Sequence, residues 1–176
     1  MIEQAGELRA PRRQPPPNHC PILPDQEAKQ VAWLPKQRVV VPVDFSEASA
    51  SALAAALELA LKPEGVHLVH VLLPLDVLSP GVVFDAINDT SRRNAAQEAL
   101  TKFVAQQPAT GVQTAVLLGD PGTQITEYAA KIGAELIVIP SHGYHGVKRL
   151  LLGSVAERVI RHASCPVLVL RRPDAQ

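Results

Sequence analysis

The stretch from Pro140-Ser141-His142-Gly143 to Gly153-Ser154 carries the residue types of an anion cradle. It lies between the apolar runs Leu136–Ile139 and Pro166–Leu170, so a glycine-bearing loop follows a buried strand and leads into a helix. The first N–H groups of that helix, on Ser154, Val155 and Ala156, have no acceptor within the helix and sit at its positive dipole end. Pro140 adds no N–H. An ordinary reading stands beside this one: a tight turn at Gly143, and a capping box in which Ser154 and Glu157 use the donors themselves. Asp44 is the second chemical residue, a carboxylate directly behind the run Val39–Val43. It can accept hydrogen bonds from an adenine amino group or a ribose, or it can close the following turn by bonding nearby backbone N–H groups.

Other chemistries lack their residues. His142 and His145 are three apart, but no carboxylate or thiol joins them at metal-ligand spacing, so no zinc site is expected. His142 is assigned to a ribose or phosphate, or to a backbone bond; His67 and His70 fall on opposite faces of one strand and read as structural. No Walker lysine motif, no acidic pair after a strand for magnesium and no Gly-x-Ser-x-Gly elbow is present. Residues 44–49, Asp-Phe-Ser-Glu-Ala-Ser, hold no glycine-rich pyrophosphate loop, and no His-x-Gly-His occurs, which argues against an adenylating enzyme. No residue is placed to catalyse.

Composition narrows the class further. Seventeen basic and 17 acidic residues cancel, so no basic surface points to nucleic acid. Cys20 and Cys165 make no disulfide framework, which fits a reducing compartment. With no apolar leader and no run of about 18 apolar residues, the expectation is a cytoplasmic protein without a membrane partner.

These residues need elements to position them. Residues 1–36 hold Pro11, Pro15-Pro16-Pro17, Pro21, Pro24 and Pro35 and read as an extended N-terminal appendage, with Trp33 packing back on the domain. Residues 37–172 form the domain, and 173–176 a tail. Val39–Val43 predicts a strand covered on both faces. Ser46 caps a helix with Leu53, Leu57, Ala60 and Leu61 on one face, ended by Pro63 and Gly65. Val66–Leu73 is a second strand, and a helix over about 91–107 buries Leu100, Phe103 and Val104. Val112–Leu118 is a third strand; Asp120 and Pro121 open a helix that ends near Gly133. Leu136–Ile139 is a fourth strand, Ser154 opens a helix to His162, and Val167–Leu170 is a fifth strand. Such alternation predicts one doubly wound, five-stranded parallel α/β sheet flanked by four helices. Ligands of these sheets bind beyond the carboxyl ends of the strands, which selects Asp44, Val71–Leu73 and Pro140–Gly143.

The segments Val41-Pro42-Val43-Asp44-Phe45-Ser46, His70-Val71, Ser141-His142-Gly143 through Gly153-Ser154-Val155-Ala156-Glu157-Arg158-Val159, and Cys165-Pro166-Val167-Leu168-Val169 resemble the universal stress protein family. The resemblance covers roughly residues 37–172 and implies the adenine nucleotide alpha hydrolase-like fold. It implies a dimeric stress-response module that senses ATP or a related adenine nucleotide, with or without magnesium, and signals to an unidentified protein partner. The homodimer would pair through Val167–Leu170. Asp44 and Val71 would hold adenine, and Pro42 and Val43 would wall its pocket. Ile139 and His142 would lie near the ribose, and Gly143, Gly153, Ser154 and Val155 would take the phosphates. Pro140 stands where the family's first glycine is expected, which leaves a nucleotide-free dimeric scaffold as the alternative.

Overall fold

A computed structural model describes residues 33–75, 88–141 and 152–171. The elements are β1 (Val39–Pro42), α1 (Glu47–Leu59), a 3-10 turn (Pro63–Gly65), β2 (Val66–Leu72), α2 (Asp89–Ala105), β3 (Gln113–Leu118), α3 (Pro121–Ile132), β4 (Leu136–Pro140), α4 (Ser154–His162) and β5 (Val167–Leu170). The sheet has the order β3-β2-β1-β4-β5, and every neighbouring pair is parallel. The chain therefore starts at the centre, moves outward through β2 and β3, and returns to the other side of β1. The reversal falls between β1 and β4, where the expected doubly wound topology has its switch point.

Alternation along the strands supplies a core on each face. Val39, Val41, Leu68, Leu136 and Val138 pack with Leu53 and Ala56 of α1 and Leu100 and Phe103 of α2. Val40, Val69, Ile137 and Ile139 pack with Ile125 and Ala129 of α3 and Ala156 and Val159 of α4. A strand buried on both sides has no polar face to show, which is why β1 and β4 read as unbroken apolar runs.

Local chemistry sets the helix ends. Asp120 caps α3, with the Thr123 N–H donating to its Oδ1 at 3.0 Å, Pro121 occupies the first turn, and Gly133 closes the helix in the left-handed region at φ 63°. Asn88 and Ser91 form a capping box that starts α2 slightly before the expected residue 91. Two expectations need correction. Leu61 lies beyond α1 and is 56% exposed. The backbone around Ala60 is instead extended, because Lys36 N–H donates to Leu59 O (2.8 Å) and Leu61 N–H donates to Lys36 O (2.7 Å). Trp33 does not pack down: the residue is 58% exposed, with Lys36 Nζ 4.0 Å from its ring centroid.

Candidate functional site

The switch point is marked by two prolines. Ile137 and Ser141 send their N–H groups to β5, bonding Pro166 O (3.0 Å) and Leu170 O (2.8 Å). Alternation turns the nitrogens of Val138 and Pro140 toward β1. Val43 sends its N–H to Val69 O of β2 (2.9 Å), so the nitrogen of Pro42 faces β4. The β1/β4 ladder holds only the pairs Val39 with Leu136 and Val40 with Ile137, whereas β1/β2 runs to Pro42 and β4/β5 to Pro140. In this register the next donors across the seam are nitrogens 42 and 140, and neither carries hydrogen. The ladder stops for that reason, at the carboxyl ends where a ligand would enter.

The tip of β1 is tied to β2. His70 Nδ1 lies 2.8 Å from Val43 O; a carbonyl only accepts, so this nitrogen carries the proton. Val43 is buried in the α1/α2 core. Phe45 follows at φ 63°, an uncommon backbone region for a bulky residue, with its ring 4.7 Å from His70 and 6.2 Å from Phe103. Between them stands half-buried Asp44. Its Oδ1 accepts from Ser46 N–H (3.1 Å), Ser46 Oγ (2.6 Å) and Ser49 Oγ (2.7 Å), while Asp44 N–H donates to Ser49 Oγ (3.1 Å). The turn-closing role anticipated for Asp44 is thus present. The Ser46 hydroxyl serves the aspartate and does not cap α1, contrary to expectation.

Gly153 N–H donates to Ser141 O at 2.8 Å, which pins the start of α4 to the end of β4. Gly153 is the N-cap and Ser154 the first helical residue, so the expected capping box of Ser154 with Glu157 does not form. Glu157 pairs with Arg161 at 2.7 Å instead. Among the described residues, the N–H groups of Ser154, Val155 and Ala156 have no acceptor. Val71, half-buried near the end of β2, and Ile139, buried in the α3/α4 core, flank the same end of the sheet. His142 and Gly143 lie outside the described residues.

Sequence reading missed three contributors. Ser49 is fully buried and holds Asp44; the Asp-x-Ser-x-x-Ser spacing at 44, 46 and 49 was the available signal. Arg158 reaches Asp120 Oδ1 at 2.7 Å, and its stem lies on Gly122, where an added Cβ would be 2.6 Å from Arg158 Cδ. The Thr123 bonds and then Arg158 hold the Asp120 carboxyl below its ordinary range. Between α3 and α4 runs a polar groove of about 650 Å³ that includes Thr126, Ser154, Arg158 and His162. His67 sits away from the crevice, 3.0 Å from the Tyr128 hydroxyl.

A family model described as the universal stress protein family matches residues 36–171. Universal stress protein MJ0531 of Methanocaldococcus jannaschii is 36% identical over 145 residues, covering 80% of this chain and 85% of its own. The solved structure of MJ0577 from the same organism superposes with a TM-score of 0.67 at 28% identity, over 81% of this chain and 100% of its own. A universal stress protein solved in complex with cAMP shares the fold, with a TM-score of 0.56 at 24% identity over 77% of this chain and 97% of its own. The fold is the adenine nucleotide alpha hydrolase-like one. Because the matched span runs from Lys36, beside β1, through the last strand, and so takes in every element that builds the crevice, the chain belongs to the universal stress protein family.

Proposed function

We propose that this chain binds ATP or a related adenine nucleotide beyond the carboxyl ends of its strands and works as a dimeric, cytoplasmic ligand sensor in a stress response, without catalysis as its task. The observation that carries the reading is the unladdered β1/β4 seam, flanked by Asp44 on one side and the N–H groups of Ser154, Val155 and Ala156 on the other. Asp44 and Val71 take the base, with Pro42 and Val43 at the wall of its pocket. Ile139, Pro140 and His142 border the ribose. Gly143, Ser154 and Val155 meet the phosphates, with or without magnesium, and Gly153 shapes the turn into α4. That helix start suits an anion because backbone donors and dipole act together. The fold is one in which a protein has been solved with cAMP. The homodimer forms through Val167–Leu170, the edge strand β5, where Leu168 is 37% exposed. Its state is read by an unidentified protein partner.

A nucleotide-free scaffold is the second reading. Two engaged groups favour it: Asp44 Oδ1 accepts from Ser46 and Ser49, and Gly153 N–H donates to Ser141 O. Calorimetric titration with ATP separates the two. Saturable micromolar binding, weakened at least about tenfold in Asp44→Asn, is the expected result. The asparagine keeps an oxygen for both serines but removes the charge and the second acceptor. No heat at millimolar ATP would establish the scaffold.

A further inference from the structure

Among the described helices, α4 has the smallest buried anchor, Ala156 and Val159, whereas its neighbour α3 buries Gly122, Ile125, Thr126 and Ala129. Val155 and Ala163 add only partial contact. Apolar packing is non-directional, so two small side chains leave the rotation and slide of a nine-residue helix loosely set. Directional bonds must fix them.

One such bond is Gly153 N–H to Ser141 O at 2.8 Å, which ties the N-cap of α4 to the end of β4. The other comes from Arg158. Among the described residues it makes the one side-chain hydrogen bond that leaves α4, its Nη1 donating to Asp120 Oδ1 at 2.7 Å, whereas Arg161 bonds Glu157 within the helix. Asp120 is itself held: the same oxygen accepts from Thr123 N–H (3.0 Å) and the Thr123 hydroxyl (2.9 Å) as it caps α3. Gly122 leaves the path open, since a Cβ there would lie 2.8 Å from Arg158 Cβ and Cγ. Thr123, Ser154 and Arg158 line one groove, so the tie stands beside the first turn of α4. That turn is held from the β4 side and from the α3 side.

We propose that Arg158 is a positioning residue for anion binding at the α4 start, acting through Asp120 to keep the N–H groups of Ser154, Val155 and Ala156 in place. The assignment rests on the nucleotide reading above. Both partners of the tie are about half exposed, so its effect on affinity is a few-fold and its effect on overall stability small. A plain point charge at Arg158 would also attract phosphate, but the two roles differ in sign at Asp120. Asparagine caps a helix as well as aspartate does, so Asp120→Asn keeps α3 and weakens only the charged tie. A point charge relieved of its carboxylate would bind ATP more tightly; a loosened α4 binds it less tightly.

The test is calorimetric titration of the full chain with ATP, on the unaltered protein, Arg158→Met, Arg158→Lys, Asp120→Asn and the Arg158→Met/Asp120→Asn double variant, each with its melting temperature. Methionine keeps an apolar stem on Gly122 and removes the tie. The dissociation constant should rise about three- to fivefold in Arg158→Met and in the same direction in Asp120→Asn, with no further rise in the double variant. Lysine restores most of the affinity, and melting temperatures stay nearly unchanged. Tighter binding in Asp120→Asn, additive losses in the double variant, unchanged affinity in Arg158→Met, or a loss that appears only with a large fall in melting temperature overturns the role of Arg158 and leaves the nucleotide reading standing. Absence of heat with ATP in the unaltered protein overturns both.

Discussion

Asp44 shows how a carboxylate on a loop is held still. Three donors converge on its Oδ1, two of them hydroxyls from Ser46 and Ser49, and the residue behind it is fixed through His70 and Val69. Such a carboxylate loses little freedom on meeting a ligand, since its orientation is already set. His67 is a different kind of residue, tied to stability and not to the crevice. Burial, and then the charge of Arg38, hold its pKa below the ordinary 6.5. The fold thus favours the neutral ring, and the unfolded chain binds the proton more readily. This contribution is complete above about pH 6.5 and is lost as pH falls through the folded-state value. Melting temperatures followed from about pH 7.5 to 5 should fall more steeply for the unaltered protein than for His67→Gln. Parallel curves would remove His67 from the pH response.

Among the elements, α3 and α4 pack together where Gly122 presents no side chain to Arg158. Gly122 leaves room for the Arg158 stem, whose guanidinium then reaches Asp120 at the cap of α3. Gly122→Ala places a methyl group 2.6 Å from Arg158 Cδ and 2.8 Å from its Cβ, so the helix itself must yield. Urea unfolding should show a loss of about 1–3 kcal/mol. Most of that loss should disappear when Arg158→Ala is combined with it, because the clash and its partner are then both gone. Additive losses would contradict the packing described. These elements also show which helix ends can be read from sequence. Asp120, Pro121 and Gly133 act locally, and the ends of α3 were legible. The end of α1 was not, since Lys36 draws the chain around Ala60 into a bridge from outside the helix. Ser154 was misplaced by one position for a similar reason: Ser141 O anchors Gly153, and the cap moves with it.

At the level of the molecule, the alternation of apolar runs and amphipathic stretches was enough to give five parallel strands and four helices, whereas the order that puts the switch point beside β1 is visible only in the structure. The carboxyl-end rule then brought Asp44, Val71 and the end of β4 to one side of the sheet. The seam itself was invisible in sequence. It depends on the register of two strands far apart in the chain and on which way each proline nitrogen turns, and neither is encoded by a local pattern. The decisive measurement is amide chemical-shift mapping by NMR of the full-length protein as ATP is added. Saturable shifts should gather at Asp44, Val71, Ser141 and Ser154 through Ala156, with β3 and the far ends of α1 and α2 unmoved. Shifts confined to the groove between α3 and α4, or none at millimolar ATP, would contradict a nucleotide site at the strand ends.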